Sequence, residues 1–234
     1  LDLGGGVTLT LVHVPAGEFL MGDAAEPPIT RVRIEKPFWL GKFEVTNEQF
    51  RRFNPSFDCG YYAKLHARSD DQGLLLNGPN QPAVRVSWDQ AMGFCRWLSQ
   101  TTGIEFTLPT EAQWEWACRA GTDTPLSYGD LDTDFSRWAN MGDRAYAAVR
   151  NETGGLEHLD PSGRPLRDTR FDDRAAVTAP VGSYLPNAWG LHDLHGNAAE
   201  WTLSSPTSSG SPQAAGRRVV RGGSFFDRPV RCRS

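Results

Sequence analysis

The 234-residue chain reads as a loop-rich α+β domain with aromatic pins, short strands first and short helices after them. Three observations predict this. Eight Trp stand among 24 Gly and 16 Pro; Gly and Pro interrupt long elements, and Trp fills the spaces between short ones. The first fifth of the chain alternates apolar and polar residues with the period of strands, and a helix-entry signal then occurs three times. Hydrophobic residues at 39% and charged residues at 22% describe a chain that can bury a core rather than stay disordered.

The elements follow in order. "VTLTLVHV" (7–14) alternates and reads as a strand, and "AGEFLMG" (16–22) as a second one ending at Gly22. "TRVRI" and "FWLGKFEV" (38–45) are further strands around Pro37. Thr46 with Gln49, Ser87 with Gln90 and Thr110 with Gln113 each pair a hydroxyl with an amide three residues on, the pattern of a capping box. Behind Ser87, the residues Trp88, Ala91, Met92, Cys95 and Leu98 form one stripe. Behind Thr110, Trp114, Ala117 and Cys118 group together before Gly121 stops the helix. From Thr122 to Thr178 periodicity is nearly absent, and "RNETGGLEHLDPSGRPLRD" reads as a surface loop. "TSSGSPQAAGRR" (207–218) reads as a polar insertion before a terminal strand "RVVRGGSFF". No repeat and no linker divides the chain, so residues 1–234 are expected to form one domain.

Charge and hydropathy exclude some functions. A net charge of -4 and a pI of about 5.7 give no basic footprint for nucleic acid. No apolar run approaches the roughly 20 residues of a membrane-spanning helix. The start, "LDLGGGVTLTLVHV", shows no signal peptide.

Four groups of residues can carry chemistry. In "GLHDLHGNAAEW" (190–201), Asp193 and Glu200 flank a tight loop whose small residues, Gly196 and Ala198, offer carbonyls; this is the donor type of a calcium loop, or a plain Asp/Asn turn. Asn140 and Asp173, on either side of the irregular stretch, could share a cation or be solvated loop residues. His192 and His195 lack a third His or Cys ligand nearby, which favours surface or supporting roles over a transition metal. Cys232 lies between Arg231 and Arg233, with Arg228 near; positive neighbours favour a thiolate, although on a strand the adjacent arginines would face the other way. The four cysteines contain no CxxC pair, and their even number permits disulfides without showing them.

Six ordered motifs then carry a resemblance: "PAGEFLMGD", "KPFWLGKFEVTNEQFRRF", "PAVRVSWDQAMGFCRWLS", "LPTEAQWEWACRAG", "APVGSYLPNAWGLHDLHGNAAEW" and "RVVRGGSFF". From about Val7 to the end the chain resembles the formylglycine-generating enzyme / sulfatase-modifying-factor family. The resemblance implies a C-type-lectin-like variant fold of low secondary-structure content, with twisted antiparallel sheets, short helices and long loops, and two structural calcium sites. One would use Asn140, Met141, Asp173 and Ala175; the other, Asp193, Gly196, Ala198 and Glu200. Oxidases of this family convert a substrate-protein cysteine to formylglycine with O2 and Cu(I) held by two cysteines. Here the second of those positions matches Cys232 and the first holds Asp227, a hard ligand that suits Cu(I) poorly.

The resemblance therefore implies a calcium-stabilised binding or accessory module for a protein, peptide or glycan, free or as part of a larger chain, and no oxidase. The alternative is a diverged oxidoreductase using Cys232, alone or with a cysteine such as Cys59 brought close by folding. An iron-dependent sulfoxide synthase would need a histidine triad that is missing, and a hypervariable display protein stays open. The expected binding surface comprises Ser224, Asp227, Arg228 and Arg231, with Trp201 as a neighbour, and its arginines favour an acidic partner. Family members run on past the position of Ser234, so closing strands are expected to be missing here. Calcium and a possible disulfide lean towards an exported or periplasmic setting.

Overall fold

Short strands pair two by two. Strand β1 (Leu11–Val14) pairs antiparallel with β4 (Phe38–Gly41), and β2 (Gly17–Asp23) with β3 (Glu26–Ile34). β5 (Tyr61–Tyr62) pairs with β6 (Leu74–Leu75), and β7 (Glu200–Trp201) with β8 (Val220–Arg221). Four helices, α1 (Asn47–Phe53), α2 (Trp88–Thr102), α3 (Glu111–Arg119) and α4 (Arg144–Glu152), complete the mixed α+β architecture among the described residues. The computed structural model describes residues 1–23, 26–62, 73–152, 167–206 and 216–234. Most of the expected loop at 150–168 and of the insertion at 207–218 lies outside them.

All three capping boxes form. Thr46, Ser87 and Thr110 each accept a hydrogen bond from the amide of Gln49, Gln90 and Gln113, whose side chains accept from the capping residues in return. Each such cap stabilises its helix by about 1 kcal/mol. Helix α3 puts Trp114, Ala117 and Cys118 in the interior with no exposed surface. Burial of an indole this size removes roughly 200 Å² from water, about 5 kcal/mol at most.

The core is divided. Phe50, Phe94 and Leu98 from α1 and α2 join Leu3, Val7 and Leu9 of the chain's start in one cluster. Trp114 and Cys118 pack with Val14, Ile34, Leu191 and Leu194 in a second. Leu126, Phe135, Ala139, Met141 and Cys232 make a third. The aromatic pins thus hold separate loop layers, as the Trp, Gly and Pro content predicts.

Four local expectations are corrected. The first strand spans only 11–14, because the chain's start folds back on 7–9: Leu3 donates to the Val7 carbonyl and Leu9 to the Leu1 carbonyl, each at 2.8 Å. The expected terminal strand shortens to β8, since after Arg221 the chain turns into the interior and Gly222 accepts from the Gly196 amide. Helix α4 interrupts the stretch that lacked periodicity, with the Asp143 carboxylate accepting from the Tyr146 amide at its start. On α2 the buried stripe is Phe94, Cys95 and Leu98, while Trp88 is half-buried and its indole donates to the Thr202 carbonyl at 3.0 Å.

These loops converge. Asn140 forms a parallel bridge with Gly196, the Asn197 amide donates to the Asn140 carbonyl (2.7 Å), and the Gly142 amide donates to the Asp227 carbonyl (2.8 Å). Segments 139–143, 193–200 and 222–234 therefore meet at one place.

Candidate functional site

The first group gathers around Asp173. Its carboxylate accepts from the Met141 amide and from the Ala175 amide, both at 2.8 Å, with Arg174 between them at φ +69°. Asn140 is fully buried, and its Nδ2 donates to the Val177 carbonyl and to Asn197 Oδ1, both at 2.9 Å. Both amide hydrogens are thereby committed, and Asn140 Oδ1 is left buried without a partner among the described residues. Burial, and then the neighbouring Asp143 carboxylate, pushes Asp173 up to about 7. The fully buried Asp143 also accepts from the Asp173 amide.

The second group surrounds Ala198. Asp193 sits at φ +61°; its Oδ2 accepts from the Gly182 amide at 2.6 Å, while its Oδ1 is buried without a partner among the described residues. Glu200 accepts from the Trp114 indole at 3.0 Å. Glu44 accepts from Asn197 Nδ2 at 2.6 Å and from the Ala198 amide at 2.8 Å. Burial raises Asp193 to about 6 and Glu200 to about 7; it also raises Glu44, with the charges of Asp193 and Glu200 adding to the rise. Among the described residues no three His, Cys, Asp or Glu side chains converge as a metal group. A cation at either place must therefore take amide and carbonyl oxygens too, which is the preference of a hard dication.

The third group is the terminal segment. Cys232 has no exposed surface, and Gly223 approaches it so closely that a Cβ there would stand 2.5 Å from the sulfur. Burial, and then the Asp227 charge, holds the thiol far above its ordinary value, opposite to a reactive thiolate. Asp227 accepts from the Ser224 hydroxyl at 2.7 Å and pairs with Arg231 at 3.8 Å. His195 is buried between segments: Nε2 accepts from the Ser127 amide (3.0 Å), so Nδ1 carries the proton and donates to the Cys232 carbonyl (2.6 Å). His195 is thus a structural pin. Cys59 lies in the first core cluster, away from the Cys232 cluster, so the expectation of a second thiol folding close to Cys232 is not met by Cys59. All four cysteines are free and buried.

A groove of about 980 Å³ runs beside this segment, lined among others by Met21, Gly22, Glu111, Asp227, Val230 and Arg231. Its arginines are matched by acids. Arg221 pairs with Glu111 and Glu115, Arg231 with Asp227, and Arg233 with Asp23. The groove is close to neutral, and the expected preference for an acidic partner loses its electrostatic basis. Arg228 is half-buried in the same segment. Trp201 is placed apart from this groove: its indole donates to the Val86 carbonyl at 2.8 Å, and it lines a different, apolar cavity with Glu44 and Leu194.

Residues 7–234 match the family model of the sulfatase-modifying factor enzyme 1-like domain. The chain belongs to this family. As a sulfatase-modifying-factor domain it is 30% identical to the formylglycine-generating enzyme of Streptomyces coelicolor, over 92% of this chain and 78% of that protein. It is 28% identical to the inactive C-alpha-formylglycine-generating enzyme 2 of Bos taurus, over 97% of this chain and 80% of the relative. Such domains also occur within larger proteins: the serine/threonine-protein kinase pkn1 of Chlamydia pneumoniae is 29% identical over 91% of this chain, which spans 32% of the kinase. Among solved structures, PvdO from Pseudomonas aeruginosa shares the fold with a TM-score of 0.67 at 24% identity, covering 97% of this chain and 89% of PvdO.

Sequence reasoning missed that Glu44, Asp143 and Asn197 lie among these groups. Glu44 sat in an expected strand, and Asn197 read as a turn residue. The available signal was the position of Asn197 between two carbonyl-bearing small residues, which pointed to the loop but not to its partners.

Proposed function

We propose that this domain is a calcium-stabilised binding or accessory module and not a copper oxidase. The observation that carries the reading is Asp227 beside Cys232, whose thiol is sealed from solvent. A hard carboxylate and a single thiol make a poor pair for soft Cu(I). The groove beside them, near neutral and lined by backbone as well as side chains, suits a protein or peptide segment recognised by shape and hydrogen bonds.

The calcium part rests on fit. Asn140 Oδ1, Asp173 and the carbonyls of Met141 and Ala175 would hold one ion; Asp193, Glu200 and the carbonyls of Gly196 and Ala198 would hold the other. Each set includes one buried oxygen with no partner, Asn140 Oδ1 or Asp193 Oδ1. Such orphans are rare and costly unless satisfied by something further. When bound, a dication supplies the positive charge that the crowded carboxylates lack. The protein's own side chains orient the loops around it.

Elemental analysis of the purified protein should find calcium. Competitive Cu(I) titration should find no tight site, and a cysteine-containing sulfatase peptide should remain unoxidised under O2. The similarity to the Streptomyces coelicolor enzyme supports a second reading, a diverged oxidoreductase. Tight Cu(I) binding abolished by Cys232→Ala, together with peptide oxidation, would establish that reading and overturn the first.

A further inference from the structure

Asn197 occupies an unusual position. It is fully buried, it is not glycine, and it holds φ +53°. Asn adopts this left-handed backbone more readily than most side-chain-bearing residues, so the turn can carry a buried, hydrogen-bonding side chain. Every polar group of Asn197 is engaged. Its Oδ1 accepts from Asn140 Nδ2 (2.9 Å) and from the Ala179 amide (2.8 Å). Its Nδ2 donates to Glu44 (2.6 Å), its backbone amide to the Asn140 carbonyl (2.7 Å), and its carbonyl accepts from Phe225 (3.0 Å).

The consequence lies in the orientation of Asn140. With Nδ2 held by Asn197 Oδ1 and by the Val177 carbonyl, the Asn140 amide cannot turn over without breaking two hydrogen bonds. Its unpartnered oxygen is therefore aimed by Asn197. On the other side, Glu44 is held by Asn197 and by the amide of Ala198, within the loop that contains the second unpartnered oxygen, on Asp193. A single chain of hydrogen bonds, Asn140–Asn197–Glu44–Ala198, joins the two oxygen-rich places.

Resting on the calcium reading above, we propose that Asn197 and Glu44 are positioning residues that couple the two cation sites, so that filling one pre-orders the ligands of the other and calcium binds cooperatively. An ion that fixes segment 193–200 fixes Asn197, and with it the direction of Asn140 Oδ1. The ordering cost is then met once for both ions, which is a coupling free energy without any large movement. Linkage makes the effect reciprocal: weakening either site must loosen the other by the same factor.

The test is calcium titration by calorimetry on calcium-stripped whole protein. Wild type should bind two ions, the second at least about fivefold more tightly than an independent site would, the lower end of usual coupling. Asp173→Asn and Glu200→Gln should each leave one site, weakened by a common factor of that size. Asn197→Gly keeps the left-handed backbone and removes the relay; it should retain two ions and lose the cooperativity. Glu44→Gln provides a second break in the chain should the glycine variant fold poorly. Two ions binding independently in wild type would overturn the coupling and leave the calcium reading intact. Absence of calcium binding altogether would overturn both.

Discussion

Replacing Gly196 by alanine would put a Cβ 2.0 Å from the Asn140 carbonyl oxygen, 2.9 Å from its carbon and 3.0 Å from Met141 Cγ. The backbone oxygen cannot give way cheaply, because it also accepts from the Asn197 amide. Three costs combine. The left-handed φ of +81° costs an L-residue about 1–2 kcal/mol. Forcing a methyl into packed surroundings costs about 1–3 kcal/mol. Displacing the Asn140 carbonyl endangers one hydrogen bond, worth about 1 kcal/mol. The total is about 3–6 kcal/mol, a drop in Tm of at least about 6 °C for a chain of this size. Gly190 is the control. Its φ is +84°, and a Cβ there meets nothing within 4 Å, so Gly190→Ala should carry only the backbone cost of about 1–2 kcal/mol. Urea denaturation of both variants, with circular dichroism as the probe, separates steric from conformational effects. Equal losses in the two variants would refute the close approach of loops 139–143 and 193–200.

Other consequences are open to measurement. Glu115 is 1% exposed, accepts from the Gly22 amide, and pairs with Arg119 at 2.8 Å and Arg221 at 2.9 Å; Glu115→Ala takes the carboxylate from buried Arg119 and leaves Arg221 with Glu111 alone, and should cost about 3–5 kcal/mol in urea unfolding. The four thiols should react with Ellman's reagent only after denaturation, and Cys95, which burial raises to about 11, should stay unreactive at pH 8; fast native labelling of Cys232 would contradict its burial. Asp227→Cys should supply a second soft ligand near Cys232 and tighten Cu(I) binding by more than about tenfold in competitive titration; an unchanged affinity would remove Asp227 from the argument against a copper site. Chelation followed by dialysis should lower the Tm of wild type, and added calcium should restore it, while Asn140→Ala should reduce that recovery.

Much was legible in local residue order. The capping boxes at Thr46, Ser87 and Thr110 needed only a hydroxyl and an amide three residues apart, and all three formed. The apolar stripe of α3 needed only helical spacing. The terminal strand failed for the opposite reason. "RVVRGGSFF" looks extended in isolation, but its backbone partners come from residues 196–204, and after Arg221 those partners lead it inwards. Helix α4 was hidden because Asp-, Asn- and Gly-rich flanks diluted a short pattern. The arginines near Cys232 suggested a basic surface; Arg231 finds Asp227 four residues away, but the partner of Arg233 is Asp23, at the other end of the chain, and no local pattern announces it.

By itself, the order of residues determined the family and the helix entries, because each depends on neighbours or on ordered motifs along the chain. Tertiary structure alone decided that the Cys232 thiol is sealed, that the groove is neutral, and that Asn197 lies between Asn140 and Glu44. Those properties depend on burial and on contacts between residues as far apart in the chain as Asp23 and Arg233, where local periodicity carries no information and only the packing of loop against loop sets the geometry.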